Sequence, residues 1–378
     1  MPPLHAILFF TLLVLAPAAW LLPARWQLRG VALLSAGVLL VLAPLSAGLL
    51  LLTATASFFA FRGGWLTPTA AVLVAVGQAV VAWAVFKSEL GARLGWAVGV
   101  GVPLGLSYYA FRQIHYAIER WNGTLPRHDF ADYLRYLFFL PTLLVGPINR
   151  FPDFLRDERR RRWDAMLFST GLERILYGFV KIVVLGNALL TGALGGVVLE
   201  LQAAHPSLAA YLAAWRFVLN AYAQFAGYSD VAIGLALLLG FRIPENFNAP
   251  FLAPNPGEFW RRYHITLSAW CRDYVFAPLL SLTRRPALAV GASMLVLGGW
   301  HEWTARYLLW GAVQGAGILA GHQTQRWLER GGWSRRFPRA THWIGVLLTA
   351  HFFAFSCLLV QHDTLAEAGR AFQILFCW

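Results

Sequence analysis

Long apolar runs separated by short arginine-bearing segments set the pattern of this chain. One helical crossing of a bilayer needs about 20 apolar residues. Residues 7–22 meet that length, and with no Lys or Arg ahead of them they read as a first membrane span rather than a cleaved secretory signal. No lipidation signature is visible at either end. Residues 30–61 are roughly twice the length needed, with Pro44 near the middle, so two helices meeting at a tight turn are expected. Further spans are expected at 66–86 and 94–111, at 166–190, within 208–241, after Arg284 and Arg285, through Arg306 to about Gly321, and at 343–360. Residues 133–147 are apolar but short and broken by Pro141, Gly146 and Pro147, which suits a re-entrant segment better than a crossing. The pattern predicts an all-α polytopic membrane protein with roughly ten or eleven membrane helices plus re-entrant or interfacial ones. No repeat or linker divides residues 1–378, which read as one membrane domain.

Composition agrees. Hydrophobic residues make up 58% of the 378 and charged residues only 13%, against about 25% charged in soluble domains. The formal net charge of +13 is scattered between apolar runs rather than gathered in a patch, which argues for positive-inside loops and against nucleic acid. With the N-terminus outside, Arg25, Arg29, Arg62 and the segment 112–135 fall in the cytoplasm, and so does the charged helix around Arg156 and Arg159 to Arg162. The stretch 191–207 carries no Lys or Arg and is expected to be an external loop.

Polar residues at membrane depth narrow the search. The run 208–241 carries Arg216, Asn220, Gln224 and the group Gly227, Tyr228, Ser229, Asp230. Such a cluster either lines a cavity or pairs between helices, the cavity being preferred. Residues 244–273 begin with a loop rich in proline and containing Asn246, then run into a polar, aromatic stretch. Residues 259–275 alternate Ile265, Leu267 and Trp270 with Arg261, Arg262, Arg272 and Asp273, so an amphipathic helix dipping in from the cytoplasm is expected. His264 lies in that block, and His301 closes the uncharged run 286–300. An ionisable group beside such a run marks a functional site by default.

Other motifs fail. His301 and Glu302 begin like a zinc-protease helix, but Ala305 stands where the second histidine must be, so no metal site is expected. Gly99, Gly101 and Gly105 do not fit a dinucleotide loop, and there is no Walker lysine. Cys271, Cys357 and Cys377 show no ligand or disulfide spacing, and Cys271 reads as packing. Most other histidines lie near segment ends; His115 and His351 do not, yet nothing around them exceeds packing.

The stretches FAGYSDVAIGLALLLGFRIPENFNAPF (225–251), EFWRRYHITLSAWCRDYVFAPL (258–279) and GGWHEWTARYLLWGAVQG (298–315) resemble the membrane-bound O-acyltransferase family. The branch they resemble is that of alginate O-acetylases and teichoic-acid D-alanyl transferases; PLGLSYYAFRQIHYAIE (103–119) and FLPTLLVGPINRF (139–151) match in pattern too. The resemblance implies a multi-pass protein of the bacterial inner membrane with helices around a central tunnel or funnel. It implies His301 as the catalytic residue and His264 as its partner. It also implies a cytoplasmic thioester co-substrate (acetyl-CoA or an acyl carrier protein), no bound cofactor, a polysaccharide or teichoic-acid-like acceptor, and an exported or membrane-anchored partner protein. Two departures stand out: Glu302 where the family often has Gly, and Gln314 where relatives often have a second His.

The residues suit acyl transfer. A thioester-to-hydroxyl transfer needs a base to take the hydroxyl proton, which a neutral histidine supplies. Arg261, Arg262 and Arg272 attract an anionic donor or simply anchor the cytoplasmic face. Asp273, Ser268, Trp300, Asn246, Ser229 and Asp230 complete the candidate substrate-binding set. The expected function is an integral membrane O-acyltransferase acting on an envelope or exported polysaccharide, with acetyl ahead of D-alanyl. The alternative is a transporter or channel for a small polar or anionic solute.

Overall fold

The structure, a computed structural model, describes residues 10–62, 66–87, 105–143 and 145–376. Most of the expected span 94–111 and the start of the first span lie outside the described residues. Among the described residues the fold is all-helical, apart from one isolated bridge between Phe247 and Tyr263. Among the described residues three helices are long and apolar enough to cross a membrane: Ala24–Leu42, Ala165–Ala204 and Pro338–Gln361. Pro44–Ala60, Pro68–Ala82 and Pro286–His301 are shorter apolar helices. The chain divides into two compact units, Met1–Gly178 with Tyr228–Pro244, and Phe179–Gly227 with Glu245–Trp378.

In the first unit the break expected near Pro44 is present, with Ala24–Leu42 ending one residue before Pro44–Ala60 begins. A proline at the first helical position needs no N–H partner, so it starts a helix without penalty. The core is aromatic: Tyr116 stacks on Tyr133 at 4.0 Å and Phe154 on Phe241 at 5.0 Å. Arg112 is buried within it, its guanidinium 4.0 Å from the Tyr136 ring and donating to the Leu137 carbonyl at 3.2 Å. The short apolar stretch expected to be re-entrant is the helix Phe130–Leu137 followed by the single turn Leu140–Thr142. An Asp129/Asp132 capping box starts that helix. Gly171 and Gly234 face each other's backbones, where a Cβ on either would strike the opposite helix.

Two expectations are corrected. The stretch 191–207 is not a loop: helix continues from Ala165 through a wider π-wound segment, Val180–Ala193, to Ala204. An absence of cations reports on the side of the membrane, not on conformation, and LGGVVLELQAA is apolar enough to stay helical. Nor is 259–275 one helix. Pro256–Arg262 and Ile265–Cys271 are separate helices, and Arg272–Phe276 is π-wound. The break falls at Tyr263 and His264. There the segment after Ile243 intervenes: Asn248 N–H donates to the Arg262 carbonyl and Ile265 N–H to the Asn246 carbonyl, both at 2.9 Å.

In the second unit, Pro286–His301 lies against Ala305–Arg330 as a helical hairpin. Small residues permit the contact: a Cβ on Gly298 would meet the Tyr307 carbonyl, and one on Gly311 the Met294 carbonyl. That hairpin sets where His301 stands.

Candidate functional site

The second unit brings His264, Asn246, Trp300 and His301 together. His264 is 2% exposed and sits in the left-handed region at φ 47°, ψ 53°, between the two short helices. A non-glycine residue there carries strain of about 1–3 kcal/mol and persists only where its surroundings impose it. The bridge of its neighbour Tyr263 to Phe247 and the hydrogen bonds from Asn248 to Arg262 and from Ile265 to Asn246 impose it here.

The protonation of His264 follows from its neighbours. The backbone N–H of Thr266, which can only donate, points at the Asn246 side-chain Oδ1 at 3.3 Å, and the Thr266 hydroxyl donates to the same atom at 2.9 Å. That atom is therefore the amide oxygen. His264 Nδ1 lies 3.1 Å from it, so in the neutral ring Nδ1 carries the proton and donates. Nε2 is left with its lone pair, buried and without a hydrogen-bond partner among the described residues. Phe225 packs edge-on at 4.6 Å and Trp300 at 5.4 Å, which locks the ring plane.

His301 is held differently. It is the last residue of its helix, because Glu302 turns extended at φ −161°, ψ 141°. Its ring is exposed and contacts Trp300 at 4.3 Å, Tyr307 at 5.6 Å in a stacked arrangement, and Trp310 at 5.6 Å edge-on. Trp300 thus touches both histidines. Glu302 pairs with Arg306 at 3.0 Å, and Arg306 in turn donates to the His362 carbonyl. Gln314, which replaces a histidine of the resemblance, is buried and bridges the Trp260 indole N–H at 3.2 Å to the Ser356 hydroxyl at 2.7 Å. Its two ends are occupied, so it braces Pro256–Arg262 against Pro338–Ser356.

The arginines are held by local acids. Glu258 accepts from Arg261 at 2.7 Å and from Arg262 at 2.9 Å, while Arg272 pairs with Asp273 at 2.8 Å. Partial burial alone would raise the Glu258 carboxyl; the hydrogen bonds from Arg262 and Arg261 outweigh it and hold the group below the usual carboxylate range. Glu258 was missed from sequence, although a carboxylate three and four residues ahead of two arginines is a recognisable helical pairing. Ser268 caps back onto the Tyr263 carbonyl at 3.3 Å, inside the same turn. Ser229 and Asp230 belong to the first unit, where both are buried and Asp230 pairs with Arg174 at 2.7 Å. The polar group on that helix thus includes a pair between helices. His351 is bonded at both nitrogens, to the Leu347 carbonyl and the Tyr211 hydroxyl, and His115 accepts from the Phe151 N–H. Cys271 is buried.

A model of the membrane-bound O-acyltransferase family matches residues 40–360, and the chain belongs to that family. A probable alginate O-acetylase of Pseudomonas aeruginosa is 32% identical over 280 residues, covering 73% of this chain and 52% of that protein. The teichoic acid D-alanyltransferase of Bacillus subtilis is 30% identical over 269 residues, 67% of either chain. The peptidoglycan O-acetyltransferase of Helicobacter pylori is 29% identical over 304 residues, 72% of this chain and 56% of that one. The chain spans about half the length of the alginate O-acetylases it matches.

Proposed function

We propose that this chain is an integral membrane O-acyltransferase that transfers an acyl group, acetyl before D-alanyl, onto hydroxyls of an envelope or exported polysaccharide. The donor is a thioester reached from the cytoplasm, acetyl-CoA or an acyl carrier protein. The protein crosses the bacterial inner membrane about ten or eleven times and works with an exported or membrane-anchored partner.

One observation carries this reading: two histidines in the family-matched region share Trp300, one buried with its tautomer set, the other exposed at a helix end. His301 acts as the base. It takes the hydroxyl proton as the oxygen attacks the thioester carbonyl, and returns that proton to the departing sulfur when the tetrahedral intermediate collapses. His264, with its proton on Nδ1, presents an acceptor at Nε2 that orients His301 or the incoming hydroxyl. The Arg261, Arg262 and Arg272 face receives the donor's anionic part, with Asp273 and Ser268 shaping its edge.

The test is direct. Purified protein is given a thioester labelled in its acyl group, with a polysaccharide acceptor or water. Release or transfer of the label that depends on His301 supports the reading. A thioester left intact by protein shown to be folded overturns it in favour of solute transport.

A further inference from the structure

The first unit holds an arginine-lined pocket whose residues have no part in the proposed acyl transfer. Its volume is about 320 Å³, and Arg25, Gln27, Arg29, Arg135, Glu158 and Arg161 line it. Arg135 is neutralised within it, bonded to Glu158 at 2.9 Å and to Asp132. The other three guanidinium groups have no carboxylate in contact among the described residues. Arg161 forms one wall: its guanidinium lies 3.8 Å from the Trp20 ring. It donates to the Leu239 carbonyl at 2.7 Å, to Gln27 Oε1 at 2.8 Å and to the Ala19 carbonyl, all neutral acceptors. Arg25 and Arg29 are exposed and make no ion pair among the described residues.

Cations that merely mark the cytoplasmic side project into water. Here they surround a concavity. Ala24 and Arg25 are the first residues of a 19-residue helix with no acid in its first turn and no side-chain cap, so its N-terminal dipole adds to the same positive field. Glu158 is the one carboxylate in the lining and is bonded to Arg135, so four arginines leave an excess of positive charge, and the planar forks of arginine suit phosphate oxygens.

The surroundings say what carries the phosphate. Leu28 lines the pocket, and next to its lining in sequence Leu21, which ends the helix Ala16–Leu21, Leu22 in the turn and Trp26 on the helix Ala24–Leu42 are 83%, 38% and 45% exposed. That helix is long and apolar enough to cross a membrane, which places its arginine end at the bilayer surface. We propose that this pocket is a phosphate-binding site, and that the exposed leucines and tryptophan next to it in sequence select a phosphate borne by an anionic glycerophospholipid over a soluble one.

Native mass spectrometry of the full-length protein tests both parts, using added phosphatidylglycerol, phosphatidylcholine or inorganic pyrophosphate. The wild type retains phosphatidylglycerol over phosphatidylcholine. The variant Arg25→Gln/Arg29→Gln binds phosphatidylglycerol at least about tenfold more weakly. Arg335→Gln/Arg336→Gln, an equal charge loss at a different basic helix, does not. Both altered positions of the first variant are exposed, and a thermal melt checks that it is folded. Equal retention by wild type and Arg25→Gln/Arg29→Gln, or an equal loss in the control, overturns the site. Displacement of the lipid by an equal concentration of pyrophosphate overturns the lipid preference in favour of a soluble phosphate. None of these readouts depends on acyl transfer.

Discussion

His264 and His301 meet the same tryptophan, yet their surroundings are opposites. His264 stands on irregular backbone in the left-handed region, is 2% exposed, and has one nitrogen committed to Asn246. His301 ends a regular helix, is exposed, and is held by ring contacts to Trp300, Tyr307 and Trp310. The difference suits the roles proposed for the two rings. A group that accepts and returns a proton must reach changing partners, whereas one that orients it must not turn. Long-range backbone pairing fixes the first ring, and a glycine-lined helical hairpin places the second.

The largest effect that can break this contrast is His301→Ala. Loss of a general base costs about 10²–10⁴-fold, so the kcat of labelled acyl transfer falls by that factor while the melting temperature holds. The next is Asn246→Leu, which removes the oxygen that three donor groups share. Transfer is expected to drop about 10- to 100-fold in kcat, a loss of about 1.4–2.7 kcal/mol of transition-state stabilisation. Asn246→Asp, which keeps an oxygen acceptor toward Nδ1, restores part of it. Equal kcat in Asn246→Leu and wild type would remove the positioning role from His264.

Gln314→Leu sharpens the comparison from the structural side. It strands the buried Trp260 N–H, at about 1–3 kcal/mol, while the Ser356 hydroxyl keeps its own bond to the Phe353 carbonyl at 2.8 Å. The protein melts earlier, and kcat per folded molecule changes little. A collapse of kcat at unchanged stability would instead make Gln314 part of the chemistry.

Glu258→Gln gives the smallest effect. The folded carboxyl lies below its unfolded value, so its contribution is present above about pH 4.3 and is lost as pH falls through the folded value. The Arg261 partner is 68% exposed and Arg262 29%, so screening limits the pair to about 0.5 kcal/mol. Melts at neutral pH separate variant from wild type slightly, and the gap closes in acid as the folded carboxyl takes up its proton.

Much of this was legible in the residues. Pro44 marked a helix start, the short run broken by Pro141 proved not to be one long helix, and the uncharged run ahead of His301 is one helix ending on that residue. What stayed hidden is non-local. The break at His264 comes from pairing with residues 246–248, which periodicity within 259–275 does not register. Asn246 stood in the candidate set as a substrate contact, but its hold on the His264 tautomer depends on an atom 18 positions away in sequence. Asp230 reaches Arg174 across 56 positions. The helix through 194–204 was missed for another reason, since a rule about membrane sidedness was applied to conformation.

The most direct measurement is the content of base-labile, ester-linked acyl groups on envelope and extracellular polymers, wild type against a His301→Ala strain with the variant confirmed in the membrane. Acyl transfer at His301 predicts that one acid disappears from the variant, and its mass names the acyl group. An unchanged ester profile with the gene expressed would contradict it.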